Sequence, residues 1–348
     1  MTIVHIVTSY TLGGAELLVQ DLIRNQMRCH RVHLVILSDL YDPDLLKLLN
    51  IRVGVHFLKR PPGSHSPIHL LRARELMHKL RPDIIHYHLH RNRLLFQYPA
   101  RHIITVHGMM NGYSVLTHLA LRSAHRVVAI SEAVRKNLLS FYKLTNTSVI
   151  YNGIHTEALP DIPPRQNIRR LVNIARLDTE DKAQDVLIRA IHLLRTAEPA
   201  LPCSLELIGD GKSRRKLEEL VQQLGLEETV TFRGQLSREE VYRMLPDYDL
   251  LVHPSRSEGF GLAVAEAMAA GLPVLTADCP ALAEVVQYGE LGYMFRTDSA
   301  EACAAAIARL MTAPDTANDK ASRARSYAGQ YFTDTAMTEQ YLALYQAP

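Results

Sequence analysis

Tryptophan is absent from the 348 residues, and only four are cysteine. Cys29, Cys203, Cys279 and Cys303 are scattered without a C-x-x-C pair. That spacing argues against a disulfide framework and a cysteine zinc site, and a reducing cytoplasm fits it best. No stretch approaches 18 uninterrupted apolar residues, so a membrane-spanning helix is not expected. The opening MTIVHIVTSY lacks a basic n-region and a small-residue cleavage site, and reads as a first strand rather than a signal peptide. The patterns G-x-x-x-x-G-K-[ST], G-x-S-x-G and H-E-x-x-H are also missing, which removes support for NTPase, hydrolase and metalloprotease chemistry. What is present is ordinary globular usage: 47% hydrophobic, 22% charged, mean hydropathy −0.06. Disordered and collagenous classes are thereby excluded, and the length favours two domains.

The net charge of +3 hides an asymmetry. Residues 1–155 carry 19 Lys and Arg against 8 Asp and Glu, or +11, and the remainder carries 20 against 28, or −8. Fifteen of the 17 histidines also lie in the first part. An anionic partner for that half follows, either a membrane surface or a nucleic acid, although solvated faces of unequal sign would give the same sum. No nucleic-acid recognition module is recognisable, so nucleic acid ranks last.

Apolar runs alternate with amphipathic stretches along the chain. IVHIVT (3–8), VHLVIL (32–37), DIIHYH (83–88), IITVHG (103–108), RVVAI (126–130) and SVIYNG (148–153) form a first series of strands. RLVNIA (170–175), SLELIG (204–209), VTFRG (230–234), DLLVHP (249–254) and PVLTA (273–277) form a second, again with helical stretches between them. Alternation of this kind predicts parallel sheets covered by helices, an α/β fold of two Rossmann-like domains facing a cleft. Residues 156–167 hold three prolines and read as a linker. The expected division is an N-terminal domain over 1–155, a C-terminal domain over 168–330, and helices to the end.

Open parallel sheets bind ligands beyond the carboxyl ends of their strands, so the residues just after each strand are the candidates. Gly13 and Gly14 open a helix after the first strand, where backbone amides and partial positive charge favour phosphate, or where the pair simply makes a tight turn. The segment HPSRSEGFGLAVAEAMAAGLPV (253–274) places Glu258 in a strand-to-helix loop, frees the amides of Gly259, Phe260, Gly261 and Leu262 at a helix start, and sets Glu266 inside that helix. Two carboxylates around one helix start suit a polyhydroxylated, phosphate-bearing ligand. His107 follows IITV at a strand end and is either a cleft-facing imidazole or a satisfied structural histidine. Arg176 and Lys182 offer cations to a diphosphate, or are surface charges. His86, His88 and His90 alternate and would share one face of a strand, yet no carboxylate or cysteine supplies a fourth ligand, so no metal is assigned. His86, His88, Ser131, Asn152 and Gly209 remain candidates for the cleft.

Taken together, GGAE (13–16), PDIIHYH (82–88), TVHG (105–108), ISE (130–132), YNGI (151–154), ARLDTEDKAQD (175–185), IGDG (208–211) and HPSRSEGFG with Glu266 resemble the retaining glycosyltransferases of family 4 over essentially the whole chain. Glu258 and Glu266 match that family's E-x7-E signature. The resemblance implies the GT-B fold, with a C-terminal helix (331–348) returning to the first domain. It implies a nucleotide diphosphate sugar donor, UDP or GDP, and no cofactor. It further implies that Glu266 holds the ribose, Glu258 and the amides after it the sugar hydroxyls, and Arg176 with Lys182 the pyrophosphate. Gly14 would lie near the same phosphates and His107 near the sugar. The implied reaction moves a hexosyl unit to an acceptor hydroxyl, on a lipid-linked glycan of surface polysaccharide synthesis at the inner face of an anionic membrane. A sugar-nucleotide epimerase, or a transferase using a soluble sugar or sugar phosphate, is the alternative. Two departures stand out: Ala175 precedes Arg176 and Ala183 follows Lys182, where the family often has glycine.

Overall fold

Seven strands form the sheet of the first unit: β1 (Thr2–Val7), β2 (Arg31–Ile36), β3 (Gly54–Phe57), β4 (Ile84–Tyr87), β5 (Arg101–Val106), β6 (Arg126–Ala129) and β7 (Thr147–Val149). Their order is β3-β2-β1-β4-β5-β6-β7, every neighbouring pair parallel. IVHIV of β1 and IIHY of β4 are buried throughout, as parallel strands covered on both faces must be. The helices are α1 (Gly14–Gln26), α2 (Pro43–Lys47), α3 (Pro67–Leu80), α4 (Val115–Arg122) and α5 (Glu132–Tyr142). This computed structural model describes all residues except 12, 50–51, 62–66, 89–95, 97 and 348, so His90 lies outside the described residues.

The second unit, His155–Phe332, holds β8 (Arg170–Ile174), β9 (Ser204–Ile208), β10 (Val230–Gly234), β11 (Leu250–His253), β12 (Val274–Ala277) and β13 (Tyr293–Phe295). Their order is β10-β9-β8-β11-β12-β13, again all parallel. Around them lie α6 (Gln184–Ala197), α7 (Arg214–Gln223), α8 (Arg238–Met244), α9 (Leu262–Ala270), α10 (Pro280–Val285), α11 (Ala300–Thr312) and α12 (Pro314–Tyr331). Leu171, Leu187, Ile191, Leu205, Leu250, Leu275 and Ile307 are among the residues of its apolar core. Each sheet reverses its strand order beside its first strand, between β1 and β4 and between β8 and β11, and such points are where doubly wound sheets hold ligands.

Two edge strands escape the sequence reading. In β3, GVHF is at most half-buried and carries a glycine and a histidine, and β13 is only YMF, so neither shows the continuous apolar run of a central strand. Segment 156–167 is held against the second unit. Ile162 donates its amide to the Ala270 carbonyl (3.1 Å), and the Arg165 guanidinium donates to the Pro246 carbonyl (2.7 Å).

The chain then returns. The last helix, α13 (Asp334–Gln346), belongs to the first unit, Met1–Ile154 with Thr333–Pro348. Met337, Tyr341 and Tyr345 join Ile3, Leu22, Ile84 and Ile103 in a buried cluster. Asp334 pairs with Arg24 (2.8 Å) and donates its amide to the Ile154 carbonyl (3.0 Å). Here the two chain segments approach so closely that a Cβ on Gly153 would lie 2.5 Å from Asp334 Cα and 2.7 Å from the Thr333 carbonyl oxygen. Among the described residues, no helix is long and apolar enough to cross a membrane. Because backbone on both sides leaves no soft atom to move, Gly153→Ala is expected to cost about 1–3 kcal/mol, the usual range for overpacking. Thermal denaturation reads this as a lowered Tm.

Candidate functional site

In the second unit the loops leaving β8 and β9 run in contact. Leu177 donates to the Asp210 carbonyl (3.0 Å), and Ser213 donates to the Leu177 carbonyl (3.0 Å). Gly209 has φ +134°, and a Cβ there would stand 2.1 Å from the Ala175 carbonyl oxygen. Gly209, a cleft candidate from the sequence, is thus explained by loop approach. The β8 loop carries Arg176, whose side chain is 65% exposed near Asp178 (3.5 Å) and Asp181 (3.8 Å), and it ends on Lys182. Ala183, where the family often has glycine, is the N-cap of α6 with φ +52°, in the left-handed region, and its methyl is buried.

The β11 loop supplies the acid. Glu258 is 11% exposed, and its Oε1 accepts from Lys182 Nζ (2.6 Å), His253 Nε2 (2.8 Å) and Ser255 Oγ (3.0 Å). Burial by itself would push this carboxyl up from 4.5. The His253 hydrogen bond and the Lys182 charge outweigh that effect and hold it down at about 2. Arg256 straps the two loops together. Its amide donates to the Asp181 carbonyl (2.8 Å), and its guanidinium reaches the Thr179 carbonyl, Asp298 and Asp185. Phe260 turns into the core against Phe332, ring centroids 5.1 Å apart and nearly perpendicular. Gly261 caps α9 with φ +104°, and a Cβ there would meet Leu282 at 2.6 Å. Leu262 starts the helix, and Gly259 lies in the loop before it. Glu266, half-buried in the second turn of α9, accepts from Tyr242 Oη (2.8 Å). The structure therefore joins Lys182 to Glu258 and gives Glu266 a separate partner. Sequence reasoning passed over His253, Ser255 and Arg256; the one available signal was a histidine closing the apolar run LLVH.

In the first unit, Gly13 is the extended N-cap of α1 and Gly14 its first residue. A Cβ on Gly13 would sit 2.7 Å from Glu16 Oε2, so the carboxylate folds back over the helix start. Ser131 caps α5 by accepting from the Val134 amide (3.1 Å), and Asn152 is buried beyond β7. His107 follows β5, and burial lowers its pKa to about 4. Its Nε2 lies 3.0 Å from His88 Nδ1. His88 in turn meets His5 (3.0 Å), and His86 sits between Tyr345 (2.6 Å) and Thr105 (2.7 Å). His86 and His88 are thus buried members of a network. Ligand atoms of His5, His86 and His88 lie within 4.8 Å of one another, but every ring nitrogen of the three faces a hydrogen-bond partner, which leaves no lone pair aimed at a shared ion.

Residues 12–158 match the family described as Glycosyltransferase Family 4, and residues 157–328 match Glycosyl transferases group 1. The chain belongs to this family of glycosyltransferases. It is 32% identical over 183 residues to a putative colanic acid biosynthesis glycosyltransferase, WcaL, of Salmonella typhimurium, covering 51% of the chain and 44% of that protein. It is 25% identical to the N-acetyl-alpha-D-glucosaminyl L-malate synthase of Bacillus anthracis over 67% of the chain and 58% of the relative. The aligned part thus spans about half the length of these curated relatives. Among solved structures, Anabaena Alr3699/HepE in complex with UDP and glucose superposes with TM-score 0.82 at 22% identity over 99% of both chains. That likeness shows the GT-B fold, two parallel-sheet Rossmann-like domains, for this family member.

Two measurements test the geometry of the second unit. Because the folded pKa of Glu258 is depressed, its ionised form stabilises the fold above about 4.5, and that contribution fades as the pH falls towards 2. At neutral pH it amounts to roughly 3 kcal/mol. The Tm gap between the wild type and Glu258→Gln is therefore expected to be wide at pH 7 and to close between pH 4.5 and 2. Ala183→Gly relieves a left-handed conformation worth about 1–2 kcal/mol, partly offset by the lost methyl, so Tm is expected to hold or rise where a buried alanine would ordinarily lose stability.

Proposed function

We propose that this chain transfers a hexosyl unit from a nucleotide diphosphate sugar to an acceptor hydroxyl with retention at the anomeric carbon. The observation that carries the reading is the Lys182 and Glu258 pair, which puts a cationic donor for an anion and an acceptor for a hydroxyl side by side beyond the switch point of the second sheet. An ammonium has three N–H groups, so Lys182 can keep Glu258 and still donate to a phosphate oxygen. Arg176, largely exposed at the end of β8, supplies the second cation. Together they stabilise the negative charge that builds on the leaving diphosphate. Glu258 has engaged one oxygen three times and offers the other to a sugar hydroxyl, while Glu266 serves the ribose. The amides from Gly259 to Leu262 surround the same ligand. Retention follows if the departing phosphate takes the acceptor proton on the same face, which needs no protein nucleophile.

We assign the acceptor to the first unit, as a lipid-linked glycan of surface polysaccharide synthesis on an anionic membrane. Val115, Leu116 and Leu119 of α4 are exposed, each more than half, as is Tyr113 just before it. Exposed Arg122 ends α4, exposed Lys136 lies on α5 and exposed Lys143 caps it, and Tyr142 of α5 meets Tyr113 with ring centroids 5.5 Å apart. Apolar side chains beside cations suit a headgroup boundary, and the +11 charge of residues 1–155 adds long-range attraction. Leu116→Glu with Leu119→Glu is expected to abolish sedimentation with phosphatidylserine vesicles and leave neutral-vesicle controls unchanged.

Nucleotide diphosphate release from a panel of UDP- and GDP-sugars, with and without a membrane-lipid extract, tests the reaction. Release from one donor that requires the extract, and falls about 10²-fold or more in Glu266→Ala and Arg176→Ala, is the expected result. Release indifferent to the extract would point to a hydrolase, conversion of the sugar without release to an epimerase, and silence from folded protein would overturn the transferase reading.

A further inference from the structure

We propose that Gln26, His5 and His88 form a directional hydrogen-bond chain that locks His107 in its Nε2–H tautomer and presents its Nδ1 lone pair to a donating hydroxyl of the substrate. The identity of that hydroxyl rests on the glycosyl-transfer reading; the tautomer rests on the hydrogen-bond geometry and on the burial that keeps the rings neutral.

Strand alternation places the members. Ile3, His5 and Val7 share one face of β1; Ile84, His86 and then His88 share that of β4; Ile103, Thr105 and then His107 share that of β5. In register, His5 lies opposite His86, and His86 opposite Ile103. Ile3, Ile84 and Ile103 belong to the apolar core. The polar side chains His5, His86 and Thr105 bond to Gln26 at the end of α1 and to Tyr341 and Tyr345 of α13.

Direction follows from which atoms can donate. The Gln26 carboxamide turns Nε2 to Tyr345 Oη (3.3 Å) and Oε1 to His5 Nε2 (2.8 Å). A carbonyl oxygen only accepts, and His5 therefore carries its proton on Nε2. Burial pushes His5 down to about 4 and His86 and His88 well below 6.5, so each ring holds one proton at neutral pH. His5 Nδ1 is then an acceptor and takes the Nε2–H of His88 (3.0 Å). His88 Nδ1 is an acceptor in turn and takes the Nε2–H of His107 (3.0 Å). What remains is His107 Nδ1, buried and without a partner among the described residues, carrying a lone pair. A buried acceptor at the end of a polarised chain is a place for a hydroxyl hydrogen. The other branch, Tyr345 to His86 to Thr105 to Tyr341, leaves the same glutamine and does not touch His107. Gln26, His5 and His88 are positioning residues in this account.

The test is a two-bond proton–nitrogen NMR correlation on the full chain labelled with 15N-histidine, with the His107 signals identified by their loss in His107→Ala. A single Nε2–H form is expected in the wild type. In Gln26→Met the terminal acceptor is gone, both directions of the chain become populated, and His107 is expected to show both tautomers. The competent fraction falls with them, so kcat for sugar-nucleotide turnover drops about two-fold or more. Tyr341→Phe disturbs the other branch and is expected to leave the His107 tautomer as in the wild type. An Nδ1–H form in the wild type, or a His107 spectrum unchanged in folded Gln26→Met, overturns the proposal; should that variant not fold, the wild-type spectrum decides alone. If the wild type turns over no sugar nucleotide, the transferase reading fails separately while the spectra still decide the chain.

Discussion

A carboxylate that is almost wholly buried and still ionised is the constraint around which the second unit is arranged. Glu258 keeps its charge only because an ammonium, an imidazole and a hydroxyl converge on one of its oxygens. Lys182 and Glu258 stand 76 residues apart in sequence, so their loops must leave neighbouring strands, and β8 lies beside β11 in the sheet. The β8 loop also packs on the β9 loop, which asks for glycine at 209 and 211, where any side chain would collide with carbonyls of the β8 loop, and Arg256 straps it to the β11 loop. Ala183 in a left-handed conformation is a residual cost of the same path.

The first unit meets an equivalent demand by the opposite means. Its polar side chains at the strand ends are buried beyond the reach of water, and no carboxylate is among them, so the histidines remain neutral and satisfy one another through hydrogen bonds. Such a network is worth having only if nearly every atom is paired. The helix that completes it, α13, arrives from the far end of the chain, adds two tyrosine hydroxyls, and begins at the tight crossing over Gly153.

Several features were legible because they are local. Continuous apolar runs marked the central strands, since strands covered on both faces have no polar side, and the glycine-flanked Phe260 marked the turn into α9. The half-exposed β3 and the three-residue β13 carry no such run, and the sequence reading missed them. The Glu258 and Glu266 spacing was visible as a pattern, yet a pattern of spacing names neither the partners of the carboxylates nor their protonation.

By itself the sequence determined the α/β alternation, the split of charge between the two halves and the glycine turn into α9, because each of these is read from neighbouring residues or from composition alone. Tertiary structure alone decided that Lys182 belongs to Glu258, that Glu266 belongs to Tyr242, and that His107 stands at the end of a chain reaching back to Gln26. The physical reason is that a hydrogen bond reports distance in space, and parallel crossovers place beside one another residues whose separation along the chain carries no trace of their meeting.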